Sequence, residues 1–156
     1  MSLIDVGRKA PAFSLNDQSG KAHSLADYAG RPVVLYFYPK DDTPGCTTES
    51  CAFRDNLPKF KNAGKAVVLG ASILDEHSKA KFAKKYDLNF PLLADPDHAV
   101  AEKYGVWQEK MRYGRKYMGI VRTTYLIDAE GKVAKRWDKV SVEGHAQEVL
   151  AAASAL

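Results

Sequence analysis

The sequence predicts an α/β fold, a mixed central sheet covered by helices on both faces. Three observations carry that expectation. Apolar, β-rich runs of strand length recur at 33–38, 66–69 and 121–127. Stretches with helical spacing of apolar residues lie between them. The chain then closes on a hairpin signal, Asp128, Ala129, Glu130 and Gly131, between two strand-like runs. A length of 156 residues with 46% hydrophobic and 27% charged residues suits one domain with a real core. No repeat, linker or low-complexity tract divides it, so a single domain over 1–156 is expected.

In chain order, residues 11–15 alternate and read as a short strand. Residues 16–20 form a turn cluster, and a second short strand follows. Ser24 caps a helical turn that ends near Gly30. The core strand 33–38 leads into a helix that runs through about Phe60. Phe53, Leu57 and Phe60 face the sheet from it, and Pro58 bends or interrupts it. Residues 65–72 form a second buried strand. Asp75 or Ser78 opens a helix to Tyr86, with Phe82 and Tyr86 inward. Residues 90–93 are extended. Asp95 and Pro96 read as N-cap and first residue of a helix over 96–104, stopped by Gly105. Strands at 121–127 and 132–137 flank the turn, and a helix from Ser141 to about Ala153 turns Val149 and Leu150 inward.

Both cysteines, Cys46 and Cys51, lie between the core strand and the body of the first long helix. Cys46 falls in the helix's first turn, where backbone N–H groups lack partners and the dipole favours negative charge. A thiol so placed is biased toward thiolate. Its flanks are small and polar, with Pro44 and Gly45 just before it, which sets it apart from a packing cysteine. In a helix a five-residue step separates Cα atoms by ~8–9 Å. A disulfide needs them within ~7 Å. A permanent staple is therefore excluded while the helix stays intact, and a transient bond requires its first turns to open. Metal binding is disfavoured, because no third and fourth ligand lie near the two thiols. His23, His77, His98 and His145 read as surface residues, and Glu49 as a helix-capping acid.

These residues resemble a peroxiredoxin of the bacterioferritin-comigratory or Q-type branch. The pattern Pro39, Thr43, Cys46 matches the family's motif, Cys51 its second cysteine and Arg122 its distant arginine. The resemblance runs on through residues 90–95 and 107–110. It implies a thioredoxin-like fold with an N-terminal extension, no cofactor and no metal. It also implies a Cys46 sulfenic acid that Cys51 condenses with, and recycling by thioredoxin or a similar dithiol. Arg122, the Thr43 hydroxyl and the Gly45 and Cys46 amides would hold the peroxide, and Pro39 would shield it. Two departures speak against a dithiol-exchange enzyme. The site lacks a Cys-x-x-Cys motif, and no proline follows Pro96.

A lowered thiol pKa explains little of such chemistry. Moving from ~8.5 to ~6 gains ~30-fold in thiolate at pH 7, but a Brønsted slope of ~0.4–0.5 returns ~10–18-fold of it. The larger effect must act on the peroxide's developing charge. Competing readings are a thiol-disulfide oxidoreductase without peroxidase activity, and a holdase or nucleic-acid module. Residues 110–117 interleave basic and aromatic side chains, but no binding motif accompanies them. A net charge of +4 is mild, so no nucleic-acid partner is expected. No apolar run approaches ~20 residues, so no membrane partner is expected. The N-terminus lacks a signal-peptide pattern. A cytoplasmic protein, monomeric or weakly dimeric, is expected.

Overall fold

A computed structural model describes residues 2–156. Its central strand, β3 (Val33–Phe37), is buried along its whole length. Period-two alternation sends Val34 and Tyr36 to one face and Val33, Leu35 and Phe37 to the other, so every position must be apolar. β4 (Val67–Ser72) pairs with it in parallel and β8 (Thr123–Ile127) antiparallel. The further strands are β1 (Ser14–Asn16), β2 (Ala22–Ser24), β5 (Leu92–Ala94) and β9 (Val133–Trp137). The seven form one mixed sheet in the order β2-β1-β5-β4-β3-β8-β9.

Helices α1 (Pro44–Asn62), α2 (Glu76–Tyr86) and α4 (His145–Ser154) cover one face, where Phe53, Leu57, Phe60, Phe82 and Val149 meet Val34 and Tyr36. The short α3 (Ala99–Lys103) and the N-terminal segment cover the other through Val100, Ala101, Phe13 and Ala10. β4 carries Gly70 because Tyr36 lies across it: a Cβ there would stand 2.8 Å from the tyrosine ring and hydroxyl.

The mixed α/β architecture matches expectation, with several differences that have physical reasons. Pro58 does not interrupt α1. It sits on the solvent face, while Phe53, Leu57 and Phe60 hold the helix to the sheet on either side. The helix expected over 96–104 is shorter. Asp95 does not cap at Pro96; its carboxylate reaches forward to accept from the Val100 and Ala101 amides at 3.2 and 2.8 Å. The last strand before the turn begins at Thr123, not 121, and α4 begins at His145, not Ser141.

One element has no counterpart in the sequence reading. β6 (Trp107–Arg112) and β7 (Arg115–Ile120) form a hairpin in a sheet of their own. Charged and aromatic residues occupy both of its faces, so the alternation that betrays a half-buried strand is missing.

The core predicts a steep cost for truncation in α1. Phe53 is fully buried and stacks on Tyr36 at 4.7 Å between ring centres. Phe53→Ala should lower unfolding free energy by ~3–5 kcal/mol. Urea titration followed by circular dichroism measures it, and a loss below ~1 kcal/mol would show that the cavity collapses.

Candidate active site

Strand register builds the site. Phe37 at the end of β3 pairs with Thr123 at the start of β8. The antiparallel pairing therefore sets Arg122, just before β8, beside the loop that leaves β3 at Tyr38. The Val140 amide donates to the Arg122 carbonyl at 3.0 Å and fixes its backbone. The loop enters α1 with Thr43 as N-cap and Pro44 as first residue, an arrangement that suits proline's missing donor.

Cys46 is fully buried in this first turn. Arg122 Nη2 donates to its Sγ at 3.1 Å, and Nη1 donates to Glu49 Oε1 at 2.6 Å. Gly45 makes room for the guanidinium: a Cβ there would lie 3.2 Å from Nη2. The Thr43 hydroxyl does not cap the helix but donates to the Lys40 carbonyl at 2.9 Å. The amides of Gly45 and Cys46 thus have no acceptor among the described residues. Pro39, Thr43, Cys46 and Arg122 line a cleft of about 910 Å³ whose far side is the β6–β7 hairpin. The structure thus gathers Pro39, Thr43, Gly45, Cys46 and Arg122. Cys51 lies elsewhere: it is half-buried against the α1 side of the core, and both cysteines are free.

Glu49 is not the capping acid expected. It is buried one turn along α1 from Cys46, and its Oε2 has no hydrogen-bond partner among the described residues. Burial raises its carboxyl to about 7, against the pull of Arg122. His145 is likewise no surface residue. Its Nε2 lies 2.8 Å from Thr124 Oγ1 and 3.9 Å from Glu49 Oε2. Burial, then Arg122, lowers it to about 4, so it is neutral at pH 7. His23 is also buried, against Asp17. Lys110 is lowered by burial first and by Arg122 second, while Cys46 acts in the opposite sense. The spacing of Glu49 from Cys46, and of His145 from Val149, puts each on the inner helix face, a signal that could have found them.

A second network braces the loop. Asp41 accepts from the Tyr38 and Ser78 hydroxyls and pairs with Lys79 Nζ at 3.3 Å, with Lys79 wholly buried. Asp42, at a left-handed φ of 58°, is held by Tyr86 at 2.7 Å and Lys85 at 2.9 Å. Helix α2 therefore supplies four side chains that fix the backbone between Pro39 and Thr43.

The geometry has relatives. The AhpC/TSA family profile matches residues 6–136. A putative peroxiredoxin bcp of Coxiella burnetii is 52% identical over 147 residues, covering 94% of this chain and 97% of that protein. The Xanthomonas campestris bacterioferritin comigratory protein superposes with a TM-score of 0.90 at 42% identity, over 97% of this chain and 98% of that one. The Xylella fastidiosa PrxQ structure gives 0.93 at 35% identity, over 99% and 98%. The chain belongs to the AhpC/TSA family, in its bacterioferritin-comigratory branch. It is a peroxiredoxin, a thiol-dependent peroxidase with the thioredoxin fold. Peroxiredoxins take peroxides as substrates and a thiol reductant as partner.

In this peroxiredoxin the buried Glu49 makes stability depend on pH. Its folded value, about 7, lies above the ordinary 4.5. The folded state holds that proton more tightly, so the contribution is present at low pH and lost as pH rises from the ordinary value through the folded one. The stability difference between wild type and Glu49→Gln, which cancels other groups, should fall by ~3 kcal/mol across that window. Urea midpoints at several pH values test it, and a difference that rises with pH contradicts the burial argument.

Proposed function

We propose that Cys46 is the peroxidatic thiol, Cys51 the resolving thiol, and that Thr43, Arg122, Pro39 and the Gly45 and Cys46 amides form the peroxide site. The observation that carries this reading is the Arg122–Cys46 contact of 3.1 Å at a helix start whose amides are free. The Cys46 thiolate attacks one peroxide oxygen and the O–O bond breaks. The second oxygen leaves with its electron pair, takes up a proton and departs as water or alcohol, and Cys46 becomes a sulfenic acid. Arg122 and the two amides face the charge that develops, which is where preorganised donors act most strongly. The Thr43 hydroxyl must turn from Lys40 to donate; with its proton on Lys40 it offers only lone pairs. Alkyl hydroperoxides fit beside hydrogen peroxide, since the Xanthomonas relative is described by its alkyl peroxide reduction activity and the cleft here is roomy.

Cys51 then attacks the sulfenic sulfur, a disulfide forms and water leaves. Thioredoxin or a similar dithiol restores both thiols. Two free cysteines at this spacing suit a reducing compartment, so we place the protein in the cytoplasm, acting as a monomer or weak dimer through one domain spanning 1–156. Simple dithiol exchange fits less well, because Cys46 is wholly buried and faces an arginine rather than a second thiol.

Cys46→Ser should abolish peroxide consumption, and retained turnover refutes the assignment. Arg122→Met should lower the peroxide rate ~10²–10³-fold, the scale of losing an oxyanion donor. Stopped-flow rates beside a thiolate titration decide whether that loss exceeds the change in thiolate fraction; a loss that merely tracks it assigns Arg122 to thiolate formation alone.

Resolution demands motion. α1 is continuous from Pro44 to Asn62, and an intact helix holds cysteines five apart ~8–9 Å between Cα atoms, beyond the ~7 Å disulfide limit. Residues 46–52 should therefore exchange amide hydrogens faster in the disulfide form than in the reduced form. Equal protection, with the bond confirmed by mass spectrometry, rules out local unfolding.

A further inference from the structure

The β6–β7 hairpin carries more positive charge than peroxide chemistry uses. No acidic residue occurs between Glu109 and Asp128, while Lys110, Arg112, Arg115, Lys116 and Arg122 all fall there. Among them Arg122 serves Cys46 and Glu49, and Lys116 pairs with Glu109 at 3.6 Å. Among the described residues Arg112 and Arg115 have no carboxylate partner, and they stand directly opposite each other across the hairpin. Like charges so placed destabilise a strand pair.

The tip adds a second cost, set against one contact inside the fold, the Arg112 guanidinium 5.4 Å from the Tyr113 ring centre. Tyr113 adopts a left-handed φ of 51° ahead of Gly114, a turn that favours asparagine or aspartate at the first position. Its side chain is 92% exposed. Met111 and Met118 are also exposed, at 66% and 50%. The tip is thus an arm with an amphipathic aromatic at its end, thioethers on one face and, on the other, the two arginines, which also line the mouth of the Cys46 cleft.

We propose that this hairpin docks on an anionic lipid surface, bringing the mouth of the Cys46 cleft to the lipid–water interface. Charge complementarity names the partner, because the arginines meet phosphate headgroups while tyrosine settles at headgroup level. The exposed methionines favour lipid over nucleic acid, since they gain little from stacking on bases and much from leaving water. The expectation of no membrane partner rested on the lack of an apolar span, and surface docking needs none. No helix among the described residues is long and apolar enough to cross a membrane.

The test is co-sedimentation of the full chain with phosphatidylcholine/phosphatidylglycerol vesicles and with pure phosphatidylcholine vesicles. Each basic residue near an anionic surface strengthens binding about fivefold, so Arg112→Gln with Arg115→Gln should bind about 25-fold more weakly. High salt should release the wild type, a readout that needs no variant. Because both arginines also line the Cys46 cleft, the readout is a ratio: the double variant should lose far more rate on lipid hydroperoxides held in anionic vesicles than on free hydrogen peroxide. Any of these results overturns the proposal: no vesicle binding, equal binding to neutral vesicles, undiminished binding by the double variant, or release by inorganic phosphate at matched ionic strength. Tighter binding of a single-stranded oligonucleotide than of anionic vesicles overturns it in favour of nucleic acid. The binding measurement reads no chemistry, so it stands apart from the assignment of Cys46.

Discussion

Arg122 stands between two acceptors, the sulfur of Cys46 and the carboxylate of Glu49. Both belong to the first turns of α1, 76 and 73 residues away in the chain. A half-buried guanidinium must be matched on several sides or leave the protein's interior. The requirement reaches outward through the fold. β8 must pair with β3 in one register to deliver the arginine. Position 45 must be glycine or crowd the guanidinium, and α1 must begin where it does. A register slip of one residue would turn Arg122 to the opposite face of the sheet edge.

The same interaction explains why the site is tense. Glu49 is buried with one oxygen unpaired, and His145 is buried beside it in its neutral form. Neither arrangement serves stability. Together they leave the start of α1 held by the Arg122–Glu49 contact and a packed aromatic cluster, rather than by a side-chain cap. Opening the helix start would break the Arg122 contacts to Glu49 and Cys46 but no side-chain cap.

The loop before α1 is treated differently. Asp41 and Asp42 are tied to α2 through a buried lysine, two hydroxyls and an exposed lysine. These ties hold Pro39 and Thr43 in place from outside α1, so opening of the helix's first turns need not carry the loop away. The cleft's opposite side is a hairpin that pairs with no other strand among the described residues. A braced loop thus faces a solvent-exposed hairpin across the cleft.

Much of this was legible in the chain itself. The buried strand at 33–38, the helix carrying both cysteines and the closing hairpin follow from periodicity and turn chemistry, which are local. The motif residues Pro39, Thr43 and Cys46 sit within eight positions and need no fold to be read together. Arg122 could be named only through a family resemblance, since nothing local marks it. The tertiary structure decided the rest. Glu49 became a buried partner of Arg122 rather than a cap, and His145 a buried neutral imidazole rather than a surface group. The β6–β7 hairpin emerged from a segment whose two polar faces hide its period. In each case the deciding energy is desolvation or pairing with residues distant in sequence, and a charge's burial is set by what folds over it, not by its neighbours along the chain.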